Sequence, residues 1–149
     1  MSFICKLDVG GKEYNVLTAE YDISQRLDTQ RRPNGMPEGG LIELTLESSS
    51  DNNLLEWAFK HNLTKNGKVT FTKRDSASQM KTIEFKDAFC IYLKELFTAD
   101  GKNPMVTRIT ITARELKVSS QTIKNAWAGM DGNGKSTDKE VSTWKVDDN

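Results

Sequence analysis

At 149 residues with 36% hydrophobic content, the chain is long enough to bury one core without disulfides or metal, covering roughly 70% of its unfolded surface. Its 21 basic and 21 acidic residues balance, which argues against a dedicated nucleic-acid binder built on a basic surplus but leaves room for a local basic patch. No apolar run approaches the ~18 residues that cross a bilayer, and the start MSFICKLDV alternates where a secretory signal would be basic and then apolar. The expectation is a protein made and folded in the cytoplasm, with any later export by a route that needs no cleaved signal.

Phe3, Cys5, Leu7 and Val9 alternate with Ile4, Lys6 and Asp8; Gly10 and Gly11 follow, and Tyr14 and Val16 resume the period. This predicts a hairpin whose two glycines take positive φ. Leu17 to Gln25 continues as a strand with Ala19, Tyr21 and Ile23 on one face. From Arg26 to Gly40 the period disappears into two prolines, three glycines and three arginines. Compact domains keep such long irregular segments for functional or disordered loops.

Ile42, Leu44 and Leu46 then alternate with Glu43, Thr45 and Glu47, a strand with one wet face. Ser48 to Asp51 supplies N-cap candidates for the chain's one convincing helix. Its apolar stripe is Leu54, Leu55, Ala58, Phe59 and Leu63; Glu56 and Lys60 pair at i,i+4, and Trp57 and His61 sit on the shoulder. Asn66 and Gly67 read as the end of this unit, with Val69 and Phe71 opening the next strand.

Lys81 to Phe97 contains Ile83, Phe85 and the run AFCIYL, and a change of phase near Asp87 and Ala88 predicts a bulge or bend. Asp100 to Pro104 is a turn, after which Thr107, Ile109, Ile111 and Ala113 form the longest clean alternation. Beyond Leu116 the signal weakens, and the glycine-rich stretch between Trp127 and Trp144 reads as a loop. With no internal repeat, the expected organisation is a single domain over 1–149, residues 117–149 being a C-terminal extension.

Catalytic chemistry finds little footing. His61 is the only histidine, and there is no nucleophile elbow, C-x-x-C pair or phosphate-binding glycine loop. Asp131 to Lys135 opens like a calcium loop, but Lys135 takes a ligand place, Ser136 replaces the glycine and Ser142 the bidentate glutamate, so the reading is rejected. Asn62-Leu63-Thr64 is a chance glycosylation sequon at a helix end. Cys5 and Cys90, each in an apolar strand-like run, read as buried free thiols. Arg26, Arg31, Arg32, Lys73 and Arg74 read as solvated cations under a neutral total, with a second role open to Arg31 and Arg32 as partners of a neighbouring subunit's carboxylates. Trp57 is either a core-boundary residue or an interface residue.

The order of these pieces resembles the Hcp (TssD) family of type VI secretion tube proteins, particularly its Bacteroidetes branch. The residues that carry the resemblance are Val9 to Leu17, the Gly39-Gly40 pair with Leu44 to Ser48, Leu55-Glu56-Trp57, Gly67 to Asp75, and Asn103-Pro104 with the strand Thr107 to Ala113; together they cover roughly residues 1–118. The resemblance implies a mainly β fold, a β-barrel of two antiparallel or mixed sheets with one flanking α-helix. It implies a homo-oligomer of hexameric rings stacked into a tube inside a contractile sheath, tipped by a VgrG spike and joined to baseplate components. Effector proteins travel in the lumen, and the tube protein is then secreted without a signal peptide. No enzyme activity, cofactor, nucleic acid or membrane insertion is implied.

The resemblance also places the family's assembly loop at Gln30, Arg31, Arg32, Pro33, Asn34, Gly35, Met36, Pro37 and Glu38, expected to dock on an adjacent subunit or ring. Trp57 is the second candidate for a subunit contact. Two rival readings stand beside it. One is the inner tube of a phage tail or extracellular contractile injection particle. The other is a monomeric β-barrel holding a small ligand, against which the Ile, Leu, Val and Phe of the inward faces count.

Overall fold

The computed structural model describes residues 3–74, 78–102, 104–125 and 127. The elements are β1 (Phe3–Val9), β2 (Lys12–Tyr21), β3 (Leu41–Glu47), α1 (Asn53–Phe59), β4 (Lys65–Lys73), β5 (Gln79–Phe97), β6 (Met105–Val118) and β7 (Gln121–Lys124). Every strand pairing is antiparallel. The order β3-β2-β1-β4-β5-β6 closes on itself because β3 also pairs with β6, Leu44 opposite Ile109, and β7 extends the sheet from β6. The expected mainly β barrel with one flanking helix is therefore observed; closure removes the sheet edges that would otherwise invite unwanted pairing.

The alternations seen in the sequence become the barrel's interior. Leu7 and Val9 of β1, Ile42, Leu44 and Leu46 of β3, and Ile109, Ile111 and Ala113 of β6 are all buried. The β1–β2 hairpin turns through Gly10 at φ +63° and Gly11 at φ +76°, with Val9 opposite Lys12. Asn53 at the start of α1 donates its side-chain amide to the Val9 carbonyl at 3.0 Å, tying the helix to that turn. Asp51 Oδ1 accepts the Asn53 N–H at 3.0 Å, but the N-cap is Asn52, one residue past the expected Ser48–Asp51 segment, and it makes no side-chain cap hydrogen bond.

Several boundaries move. β2 ends at Tyr21 rather than Gln25, and Ile23 is exposed. The helix ends at Phe59, because Lys60 is extended and Asn62 takes φ +66°; Leu63 therefore lies beyond it. Asn66 and Gly67 lie inside β4. Gly67 is a packing glycine, since a Cβ there would stand 2.5 Å from the Asp8 carbonyl oxygen and 2.7 Å from Phe85 Cζ. β7 was not expected at all; its hairpin turns through Ser119 at φ +56°, without a glycine to announce it.

The predicted irregularity at Asp87 is present. Asp87 takes φ +52°, and Phe85 and Ala88 are both buried although two residues separate them. Across the pair, Ala113 and Leu116 on β6 do the same, so both strands change phase at one level. Cys5 and Cys90 are free thiols, the first half-buried and the second buried. The calcium-like stretch Asp131 to Ser142 lies outside the described residues.

Candidate assembly surface

The Arg26–Gly40 segment is a folded arm. Ser24 and Glu38 exchange backbone hydrogen bonds of 2.9 and 2.7 Å at its root, and the Asn34 N–H donates to the Arg26 carbonyl at 2.7 Å. Nearer the tip, the Asp28 N–H donates to the Arg32 carbonyl and the Arg31 N–H to the Asp28 carbonyl, both at 2.9 Å, with Arg31 at φ +66°. The Asp28 carboxylate accepts the Gln30 N–H at 2.9 Å, the Arg32 N–H at 3.0 Å and Arg32 Nε at 3.2 Å. Hydrogen bonding led by the Arg32 backbone N–H holds its carboxyl below the usual range. From Ser24 at the root to Gln30 at the tip is six residues, which bounds the reach at about 20 Å.

The root is clamped to the barrel. The Ala113 N–H donates to the Gly40 carbonyl at 2.8 Å, and the Asn125 side-chain amide donates to the Gly39 and Ala113 carbonyls, both at 2.9 Å. Gly40 sits at φ +106°, and a Cβ there would stand 2.7 Å from the Ala113 carbonyl oxygen, so the Gly-Gly pair has a steric reason.

Of the candidate loop residues, Pro37 is half-buried and Gln30, Arg31, Arg32, Pro33, Asn34, Gly35, Met36 and Glu38 are exposed. Met36 is 81% exposed and Leu27, on the facing limb, 52%. Arg26 pairs with Glu38 at 3.0 Å and Arg32 with Asp28 at 3.2 Å. Arg31 makes no ion pair among the described residues. Lys73 and Arg74 lie at and just past the end of β4 and make no ion pair with the arm among the described residues.

Trp57 is placed in the core rather than on the helix shoulder. It is 1% exposed, stacks on Phe85 with ring centroids 6.3 Å apart, and donates its indole N–H to the Ala88 carbonyl at 3.0 Å. The outward aromatic of this helix is Phe59, 83% exposed. His61 follows in an exposed turn beside a shallow groove lined by Phe59, Phe89 and Ile91.

The opposite end of the barrel holds residues that the sequence reading left out. β4 accompanies β5 only as far as the pair Lys65–Ala88, while β5 and β6 run on together to the pair Phe97–Met105. Past Ala88, Cys90 is still buried and Leu93 still packs against the core, while Ile91, Tyr92, Leu96 and Phe97 are exposed, as is Met105. The available signal was length, since an apolar run of this extent has no equally long neighbour. Among the described residues, no group of three or more His, Cys, Asp or Glu is arranged to hold a metal ion.

A family model described as hemolysin coregulated protein Hcp (TssD) matches residues 1–128. The structure of Hcp1 from Flavobacterium johnsoniae is 34% identical, with TM-score 0.76 over 82% of this chain and 99% of that one. Hcp1 from Salmonella typhimurium is 13% identical, with TM-score 0.65 over 83% of this chain and 92% of that one. The sheath/tube terminator of PVC, an extracellular contractile injection system, is 17% identical, with TM-score 0.51 over 78% and 93%; these last two likenesses concern the fold alone. No curated protein matched the chain by sequence. With a family model spanning most of its length and a solved relative at 34% identity, the chain belongs to the Hcp (TssD) family.

Proposed function

We propose that this chain is the tube subunit of a type VI secretion system. Its hexameric rings stack into a tube inside a contractile sheath, with a VgrG spike at the tip and baseplate components below. Contraction drives the tube, with effector proteins in its lumen, into a target cell. The subunit assembles in the cytoplasm and leaves without a signal peptide. Its role is mechanical, and no residue is assigned a chemical step.

The observation that carries this reading is the arm of residues 26–38, internally hydrogen-bonded and clamped at its root, yet with Met36 81% exposed among the described residues. An ordered apolar projection of that kind supports contact with a neighbour. Rings and stacks need heterologous contacts, in which one surface meets a different one. The inner tube of an extracellular injection particle is the second reading. Identity of 34% to the Flavobacterium Hcp1, against 17% to the PVC terminator, favours the type VI assignment.

Negative-stain microscopy of the purified protein tests the reading. Uniform rings or tubes are expected, and a protein that stays monomeric at high concentration would overturn it.

A further inference from the structure

Past β7 the chain is led onto the outer face of β5. Asn125 donates its N–H to the Arg114 carbonyl at 2.7 Å, and its side chain is held by the Gly39 and Ala113 carbonyls. The Trp127 N–H donates back to the Asn125 carbonyl at 3.1 Å, and the Trp127 ring stacks on Phe89 with centroids 5.6 Å apart. Phe89 pairs with Thr112, between the inward pairs Ala88–Ala113 and Cys90–Ile111, so it points out of the barrel.

Phe89 also forms one wall of a groove completed by Phe59, His61 and Ile91. Phe59 is 83% and Ile91 58% exposed. The groove opens where β4 has left β5: the last pair is Lys65–Ala88, and among the described residues no strand lies beside Phe89 to Ile91 on that side. Apolar side chains along a free strand edge suit an extended apolar segment.

The sequence after Trp127 contains such a segment. The family model stops at residue 128. Asp131 to Glu140 carries no apolar side chain, and Val141-Ser142-Thr143-Trp144-Lys145-Val146 follows. β-branched and aromatic residues favour extended chain, in which Trp144 and Val146 share a side. From Trp127 to Trp144 is 17 residues, and a chain of that length without regular structure averages about 20 Å end to end.

We infer that the C-terminal segment of this chain turns back on its own barrel, with Trp144 and Val146 filling the groove between Phe59, His61 and Ile91. The stack of Trp127 on Phe89 starts the tether at the groove's edge, and tethering holds the segment at millimolar effective concentration, where a modest contact suffices. Asp147 and Asp148, next along, complement Lys60 on the rim, whose pairing with Glu56 is open to water. The contact lies within one subunit and is independent of the tube reading.

Disulfide trapping in the full chain tests the docking. His61→Cys replaces an exposed rim residue and Lys145→Cys a neighbour of Trp144, so the apolar contact is kept. Mild oxidation of the double variant is expected to close an intrachain disulfide, seen as a faster-running monomer on non-reducing gels. Lys145→Cys alone gives the baseline for pairing with the native Cys5 or Cys90. Adding Trp144→Ser, or Phe59→Ser in its place, is expected to slow closure on the order of tenfold, because chance collisions of the tether remain while residence in the groove is lost. Phe59 is exposed, so its replacement keeps the fold, which circular dichroism checks. An unchanged rate in either variant would overturn the docking. Covalent dimers in place of the fast monomer would also overturn it, giving the groove to the tail of a neighbouring subunit. Rings or tubes in the microscope bear on the tube reading alone.

Discussion

Asp87 and Arg114 face each other across β5 and β6 at the level where both strands change phase, with Arg114 Nη2 2.8 Å and Nε 2.9 Å from Asp87 Oδ2. Arg114 is 4% exposed, so its charge is held inside the protein. Asp87 supplies the matching charge and also the left-handed backbone on which the bulge depends. Removing Asp87 takes away the nearer carboxylate of a buried cation, Glu115 Oε1 standing 3.9 Å from the same Nη2, whereas Arg26 and Arg32, the paired arginines of the arm, face water.

Asp87→Ala is therefore expected to destabilise the fold by about 3 kcal/mol, from the loss of the pair and the strain of alanine at positive φ. Asp87→Asn is expected to cost less than half of that, because asparagine tolerates the left-handed region and still accepts from Arg114. Urea unfolding midpoints of the two variants check the order. Equal losses would mean that neither the charge nor the backbone conformation matters at this site.

Trp57→Phe retains the stack on Phe85 but removes the indole donor to the Ala88 carbonyl, a change expected to cost about 1–2 kcal/mol. Trp57→Ala, which also leaves a cavity, is expected to cost about 3–5 kcal/mol. Because Trp57 is 1% exposed, ring assembly should fall only as far as the fold does. Denaturant midpoints set beside size-exclusion profiles of the folded fraction separate the two effects. Loss of rings from a fully folded Trp57→Phe protein would restore this residue to the subunit contact.

Alkali acts through groups that burial keeps protonated. The Cys5 thiol is pushed from 9.0 up to about 11 by burial. The Tyr14 phenol is pushed from 10.0 to about 12, chiefly by burial and also by the Asp51 carboxylate that accepts its hydrogen bond. Between those values the unfolded chain has released protons that the folded chain still binds, so unfolding gains with rising pH. Stability is expected to be flat from neutrality to about pH 9 and to decline from there to about pH 12. Cys5→Ala should flatten the first part of the decline in a series of urea titrations; a curve that rises with pH would contradict the burial of both groups.

Much of the barrel was legible in the alternations of β3 and β6, in the Gly10-Gly11 turn and in the phase change at Asp87, because each is a local consequence of backbone geometry. The helix shows the limit. Its apolar stripe ran on to Leu63, but the chain stops at Phe59, and which of Trp57 and Phe59 is buried depends on the face that meets β5. Gly67 resembled a turn signal until Phe85 and Asp8 were found against it. The arm was visible as a position and a length, while its internal order came from Asp28 gathering the Gln30 and Arg32 N–H groups. The Phe97–Met105 end was invisible because only the register reveals that β4 has stopped at Lys65 by then.

The arm's order can be loosened without touching the barrel, through Asp28. Its carboxylate accepts three hydrogen bonds and belongs to no other element, so Asp28→Ala frees the tip while leaving the Ser24–Glu38 root and the Gly40–Ala113 clamp intact. The urea midpoint should move by less than about 0.5 kcal/mol, as for a surface substitution. Stacking should nevertheless weaken, because a mobile tip must be ordered when it docks, at about 1–2 kcal/mol for each residue fixed. Replacing Gln30 to Glu38 by a short Gly-Ser linker is the stronger form and should leave a folded monomer or a single ring that does not stack. Backbone amide exchange at Gln30 and Arg32 reports the loss of order directly, and microscopy reports the tubes. Faster exchange in Asp28→Ala with tubes of normal length would show that the arm's internal order is unrelated to assembly, and normal tubes from the linker variant would remove the arm from assembly altogether.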